Sequence, residues 1–600
     1  MKTRVLRRLA PRGDDSSEMQ IRLAVDLAEA GRYAQARQAR EMALRSVRLS
    51  LRDAREDPLV LNDCAVNLAD LGEFDISIKL LKRAHELAPQ NSHVLFNLST
   101  VLWRRGHYRD AAHVATKAVA LAPDDPGIGD LLQRIHGTLL VFDERVPLLA
   151  HLETDDETLG ERTPGTGRIA PLHVLRMSLP FRQTGYSFRT QEILLGQTAI
   201  GMNPTAVTAP YFPEDSGYAT YDSREEIEGV VYHRLRGLRR LDPQPRRGST
   251  FESDVYRAEI REPLDEHLAH YAQALFALAS ELRPSLLHSH SNHRNALVAS
   301  AVAGALRIPH IYEVRGVWEE SSVSRGVIGP NDDRYRLERD METRCCREAG
   351  AVVTLSETMK QELVSRGIEP EKIFLVPNGA NPARFPVVQH RSERLARKLR
   401  LGSGPVIGYA GSLSTYEGVS DLLRGFRRVL DVMPEVRALI IGDGRDAELA
   451  HATADELELG DSVVFAGRID RSELLDYYSV IDIFAVPRPP FRVCDIVTPL
   501  KPYEAMATGR AVVVSDVRAL QEMIVEGRTA VSFEAGNPDS LAAVCIELCR
   551  NPERRRELGA YAARWVRMNR DWATVAAGYL DAYNFASHAL ERQHLRAPSG

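Results

Sequence analysis

A chain of 600 residues exceeds what one hydrophobic core supports, so three or four packed units are expected. Hydrophobic residues at 44% and charged residues at 26% describe an ordinary folded protein, and a net charge of −5 leaves no overall basic footprint for nucleic acid. Six cysteines in this length do not make a disulfide framework, which points to a reducing compartment. Cys545 and Cys549 stand four apart on an expected helix without a second ligand pair, and read as core thiols rather than metal ligands. The basic start MKTRVLRRLAPRG lacks the apolar segment of a signal peptide, and no apolar run nears the ~20 residues of a membrane span. The expected location is cytoplasmic, with peripheral contact at the inner membrane face left open.

The first stretch repeats. GEFDISIKLLKRAHELAP (72–89) and GHYRDAAHVATKAVALAP (106–123) align at an offset of 34, pairing Gly72 with Gly106, Ala84 with Ala118 and Pro89 with Pro123. GRYAQARQAREMAL (31–44) reads as a degraded earlier copy. That period resembles the tetratricopeptide repeat, an all-α array that stacks helix pairs and offers a concave face to a protein partner. A spacer with no partner is the plainer alternative. Residues 1–150 are assigned to this module, and the polar run 151–171 to a linker.

Short apolar runs then alternate with helical patterns. Strands are expected at 172–178, 205–210, 285–291, 309–315, 351–356 and 373–378. After a charged break at 390–404 they resume at 405–412, 437–444, 462–469, 481–489 and 511–516. The alternation predicts two doubly wound α/β units, 172–400 and 401–570, followed by a helical tail over 571–600. Their ligand cleft lies at the carboxyl ends of the strands. Glu504 follows one of those ends, in a short helix that Pro502 opens and Gly509 stops. A carboxylate there can accept hydrogen bonds from two adjacent hydroxyls, as a ribose presents them.

PLKPYEAMATGRAVVVSD (499–516) resembles the nucleotide-binding helix of retaining GT-B glycosyltransferases, in particular glycosyltransferase family 4. IGYAGSL, IIGDG, FAGRI, VPNGAN, LLHSHS and TLSETMKQEL extend the likeness in order over about 172–575. The resemblance implies a GT-B fold, two Rossmann-like domains facing a cleft, with the acceptor on the N-terminal side and a nucleotide-sugar donor on the C-terminal side. It implies no cofactor and no catalytic metal. Glu504 matches the family's ribose-binding Glu. The sugar-binding Glu expected eight residues earlier is replaced by Ile496, and its role is carried to Asp495, with a solvated loop aspartate as the alternative. The family's basic pair on the first C-terminal loop is also missing: GSLSTYEG has Ser412 and Glu417 instead. A departing diphosphate still needs a cation, and Lys501, with Arg492 or Arg488, is expected to supply it. Gly411, Ser412, Gly442 and Arg468 complete the expected donor site, the last two through backbone contacts to the base.

On the N-terminal side, the donor's phosphates are expected near Gly185, which lies in what resembles the family's glycine loop, where backbone N–H groups approach phosphate. HSHSNHR invites a metal reading through His288, His290 and His293, but no carboxylate or cysteine joins them at ligand spacing. The resemblance places His290 beside the transferred sugar. Arg189, Arg315 and Glu319 are expected to line the acceptor cleft, with an Arg315–Glu319 pair as the alternative. The implied reaction is transfer of a sugar, with retention, to an acceptor hydroxyl in polysaccharide or glycoconjugate synthesis. A GT-B nucleotide-sugar 2-epimerase and a non-catalytic repeat scaffold are the competing readings.

Overall fold

The computed structural model describes residues 20–21, 23–24, 33–53, 56–143, 146–149, 168–237 and 262–596. Two packed units are distinguished, and each is treated by itself. The first is helical: Tyr33–Asp53, Pro58–Asp70, Phe74–Leu87, Ser92–Arg105, Tyr108–Leu121 and Pro126–Asp143. Two successive helix pairs begin at Pro58 and Phe74, then at Ser92 and Tyr108, repeating the offset seen in the sequence. Side-chain caps start the first helix of each pair. Asp57 Oδ1 accepts from the Leu59 N–H at 2.8 Å, and Asn91 Oδ1 from that of His93 at 3.0 Å. Gly106, at φ 96°, ends the second pair's first helix in the left-handed region. Ala65, Ala84, Ala111 and Ala115 let the helices approach closely around Leu81, Leu98 and Leu102.

Segments 262–267 and 326–338, read from sequence as part of the first α/β domain, pack with this helical unit. Arg105 Nη1 donates to Asp332 Oδ2 at 2.6 Å and to the Val327 carbonyl at 3.0 Å, while the Arg334 N–H donates to the Gly106 carbonyl at 3.0 Å. Most of the expected linker 151–171, and the start of the earliest repeat copy, lie outside the described residues.

The second unit holds two sheets. The first comprises β1 (Pro171–Leu175), β2 (Thr205–Thr208), β3 (Arg224–Ile227), β4 (Val230–Arg234), β5 (Leu286–His290), β6 (His310–Val314), β7 (Ala351–Thr354) and β8 (Ile373–Leu375), in the order β3-β4-β2-β1-β5-β6-β7-β8. All its pairings are parallel except the β3–β4 hairpin, which sequence reading missed. REEIEGVVYHR is charged on its first strand and turns on Glu228 and Gly229, both at positive φ. The second sheet comprises β9 (Val406–Ala410), β10 (Arg437–Ile441), β11 (Val463–Gly467), β12 (Ile483–Val486), β13 (Ala511–Ser515) and β14 (Val531–Phe533), all parallel, ordered β11-β10-β9-β12-β13-β14. β14 has three residues, too few to show a period.

Helices Trp572–Ala576 and Gly578–Arg596 return to the first sheet. Trp572, Tyr579, Tyr583 and Ala586 share a buried cluster with Ile193, Leu286, Ile311 and Val353. Gly196 permits the approach, because a Cβ there would stand 2.5 Å from the Trp572 carbonyl oxygen.

Candidate active site

Glu504 sits in the helix Lys501–Ala507, which follows β12 and stops at Gly509 with φ 78°. Its carboxylate faces Arg471, Lys501 and the Tyr478 hydroxyl. Burial pushes the Glu504 carboxyl up, and Arg471 and Lys501 pull against that rise. Arg471 stacks over the Phe188 ring at 3.9 Å, with its guanidinium 3.6 Å from Glu192. Phe188, Glu192, Asn381, Phe385, Arg471 and Trp572 line a hollow with Glu504, so this carboxylate opens onto the space between the two sheets' domains rather than into a core.

Lys501 projects from the same helix to the loop after β9. A Cβ on Gly411 would lie 2.7 Å from its Nζ and would also strike the Tyr409 hydroxyl. Gly411 thus stays side-chain-free because an ammonium occupies its flank. Gly442, at φ 125°, is needed in turn because a Cβ there would strike the Gly411 carbonyl. Burial lowers the Lys501 pKa, while Glu417 and Glu504 raise it and Arg488 lowers it. Glu417 is buried and pairs with Arg488 at 2.7 Å. Arg488 Nη1 also donates to the Val497 carbonyl at 2.7 Å, and Tyr409 donates to the Ser412 carbonyl at 2.9 Å. Glu417 and Arg488, paired with each other, thus both act on Lys501, with opposite signs.

Other expected donor residues lie elsewhere. Arg492 does not join the charged groups around Lys501: its guanidinium bridges Glu320 at 2.7 Å and Glu362 at 2.6 Å. Asp495 Oδ1 accepts from the Arg518 N–H at 3.1 Å, at the start of a following helix. Arg468 is exposed, and the side chain of Ser412 is exposed above the Lys501 loop.

On the first sheet, Glu313 of β6 is a fully buried hub. Its Oε1 accepts from Arg189 Nε at 3.1 Å and Nη2 at 2.9 Å, and from Arg315 Nε at 3.1 Å. Its Oε2 accepts from the Tyr579 hydroxyl at 2.9 Å and faces His288 Nε2 at 3.2 Å and His290 Nδ1 at 3.4 Å. Burial pushes the Glu313 carboxyl up, yet Arg315 and Arg189 outweigh it and hold the group well below the usual carboxylate range. A hydrogen-bonded chain fixes the imidazoles. Gln197 Nε2 donates to the Tyr583 hydroxyl at 2.8 Å, so its Oε1 takes the proton of His173 Nε2 at 2.9 Å. His173 Nδ1 is then the acceptor for His290 Nε2–H at 2.7 Å, a tautomer assigned from the network. Tyr583 in turn donates to His288 Nδ1 at 2.8 Å. Burial holds His173 and His290 well below the usual histidine range and lowers His288 as well.

Ligand atoms of His173, His288 and His290 lie within 4.8 Å of one another, the grouping among the described residues that could hold a metal ion. Two buried guanidiniums on Glu313 oppose a further cation at that spot. His290 itself is enclosed, with 0% of its surface exposed. The expected acceptor residues are likewise committed within the chain. Arg189 also donates to Asn378 Oδ1 at 2.6 Å, and Arg315 donates to Thr190 Oγ1 at 2.7 Å. Glu319 pairs with Arg366 at 2.7 Å, so the alternative Arg315–Glu319 pair is not formed. Gly185 is exposed at the start of the helix Gly185–Ala199, whose cap is Thr184, and its nearest neighbour is Leu500, next to Lys501. Sequence reading missed Arg471 and Glu313. An acid inside the apolar strand PHIYEVR was the available signal for Glu313; nothing in RIDRSE distinguishes Arg471 from a surface arginine.

Two family models match the chain: "Glycosyl transferase 4-like domain" over residues 184–379 and "Glycosyl transferases group 1" over 391–565. A D-inositol 3-phosphate glycosyltransferase of Streptomyces scabiei is 25% identical over 457 residues, 73% of this chain and 91% of that protein. A glycogen synthase of Mycobacterium tuberculosis is 24% identical over 326 residues, 53% of this chain and 72% of that protein. Among solved structures, a sucrose-phosphate synthase from Thermosynechococcus elongatus superposes with TM-score 0.54 at 18% identity, covering 71% of this chain and 100% of that one. The catalytic domain of starch synthase IV from Arabidopsis thaliana gives 0.52 at 13% identity, with the same coverage of this chain and 100% of its own. The matched domains, the relatives and the two parallel sheets together support a glycosyltransferase of the GT-B fold.

Proposed function

We propose that the protein transfers a sugar from a nucleotide diphosphate-sugar to an acceptor hydroxyl, with retention at the anomeric carbon and without a metal. The observation that carries this reading is the short helix after β12, which presents Glu504 and Lys501 together beside Gly411. Glu504 accepts hydrogen bonds from the ribose hydroxyls. Lys501 stabilises the β-phosphate as charge collects there during bond breaking, which needs no enzymic nucleophile. The helical unit recruits a protein partner in the manner of tetratricopeptide repeats, and the acceptor belongs to polysaccharide or glycoconjugate synthesis. No helix among the described residues is long and apolar enough to cross a membrane.

A thermal-shift screen of UDP-, GDP- and ADP-sugars identifies the donor, since a ligand of the folded state raises its stability. With that donor, Lys501→Met lowers turnover by roughly two to three orders of magnitude while nucleotide affinity falls modestly. Glu504→Gln chiefly weakens donor binding, because ribose contacts persist throughout the reaction. Turnover of Lys501→Met within about twofold of wild type refutes this assignment. Epimerised donor formed without any acceptor would replace transfer by epimerisation as the reaction.

A further inference from the structure

We infer that Glu417 is a positioning residue, and that it and Arg488 set the site and charge of Lys501 with opposite electrostatic effects. The inference rests on the proposed role of Lys501 and concerns how that role is maintained. The ammonium stands half-buried against Gly411, a placement that favours its neutral form. Charged and titratable groups face it from each element packed there. Glu417 comes from the loop after β9, Arg488 from the segment after β12, Glu504 from its own helix, and Tyr409 from β9 beside Gly411. Glu417 is 7% exposed and its Oε1 is held by Arg488 at 2.7 Å, while the Tyr409 hydroxyl, which donates to the Ser412 carbonyl, stands 3.4 Å from its Oε2. Arg488 is tied to the Val497 carbonyl, which anchors it to the segment leading into TPLKP. A fixed acid in that position attracts the ammonium to Gly411 and keeps it protonated. A fixed cation paired with the acid tempers both effects.

Opposite signs separate this from a merely structural role. Affinity for inorganic pyrophosphate is measured calorimetrically on the full-length protein between pH 7 and 10.5, alongside turnover of the donor found in the screen. The ligand's own ionisation is common to all variants. Wild-type affinity falls along an alkaline limb that reports loss of the Lys501 proton. Glu417→Gln moves that limb toward acid by about one pH unit or more, and lowers kcat more than it raises KM. Arg488→Gln moves it toward alkali. If Glu417→Gln fails to fold, the Glu417→Gln/Arg488→Gln pair, which removes one charge of each sign, returns the limb near its wild-type position. A limb that stays in place in these variants, yet vanishes in Lys501→Met, overturns the inference and leaves the proposed function standing. Wild-type affinity and turnover in Lys501→Met overturn the proposed function instead.

Discussion

Replacing Glu313 by Gln removes one charge from a buried site and almost no volume. The carboxylate is 0% exposed and serves two guanidiniums, the His288 imidazole and the Tyr579 hydroxyl. The amide oxygen can still accept from the arginines, but its NH2 end then faces His288 Nε2, which donates in the assigned network. Arg189 and Arg315 are left buried without a counter-charge. Breaking a buried pair from one side costs about 3–5 kcal/mol, a large part of the ~5–15 kcal/mol that holds a typical native protein. Trp572, whose ring lies 5.5 Å from the Arg189 guanidinium carbon, reports on this half by its fluorescence. Urea unfolding followed there should show a midpoint lower by about 1 M, because the slope rises with the surface exposed and this unit is larger than a small domain. Adding Arg189→Met restores the net charge of the cluster, so the double variant should be less destabilised than the sum of the singles. A loss below ~1 kcal/mol for Glu313→Gln would mean that water screens these guanidiniums, and the hub as described would be wrong.

Acid should weaken the first sheet well before carboxylates titrate. Burial pushes the His310 pKa down to about 3, so it is neutral when folded and takes a proton on unfolding. Its contribution is complete above about pH 6.5 and fades as pH falls toward 3, by roughly 4–5 kcal/mol in all; the urea midpoint of His310→Gln should therefore vary less between pH 7 and 4 than that of wild type. Gly196→Ala drives a methyl onto the Trp572 carbonyl and should cost about 1–3 kcal/mol, read as a lower melting temperature. Arg492→Met removes a half-exposed bridge to Glu320 and Glu362, and should cost about 1 kcal/mol or less with turnover little changed; a hundredfold loss of turnover would return Arg492 to the diphosphate. Asn91→Ala deletes a helix cap in the repeat pairs and should cost about 1 kcal/mol in the unfolding of that unit.

Most of the architecture was legible because parallel strands buried on both faces appear as continuous apolar runs; each run read from sequence overlaps an observed strand. What escaped has a physical cause. The β3–β4 hairpin lies at a sheet edge, where charged side chains are tolerated, and β14 is too short for any pattern. Of the site, Glu504 and Lys501 were readable because an acid and a lysine open a helix that is otherwise buried. The fates of Arg189, Arg315 and Glu319 were not. A basic or acidic residue looks alike in sequence whether it meets solvent or a distant partner, and Arg189 meets Glu313 across 124 positions. Glu417 illustrates the same limit: nothing in its identity tells that it is buried against Arg488, 71 positions away.

The return of the last helices onto the first sheet ties the ends of the catalytic unit to a single folding event. Tyr583 reaches back 386 positions to Gln197 and 295 to His288, while Tyr579 reaches 266 to Glu313. A domain whose core includes such partners cannot complete its packing while the chain is still emerging from the ribosome, whatever its own strands have already formed. The buried charges of β6 must wait, partly solvated, for a segment made several hundred residues later. Early termination of synthesis near residue 570 would thus spoil the half built first and spare the half built last.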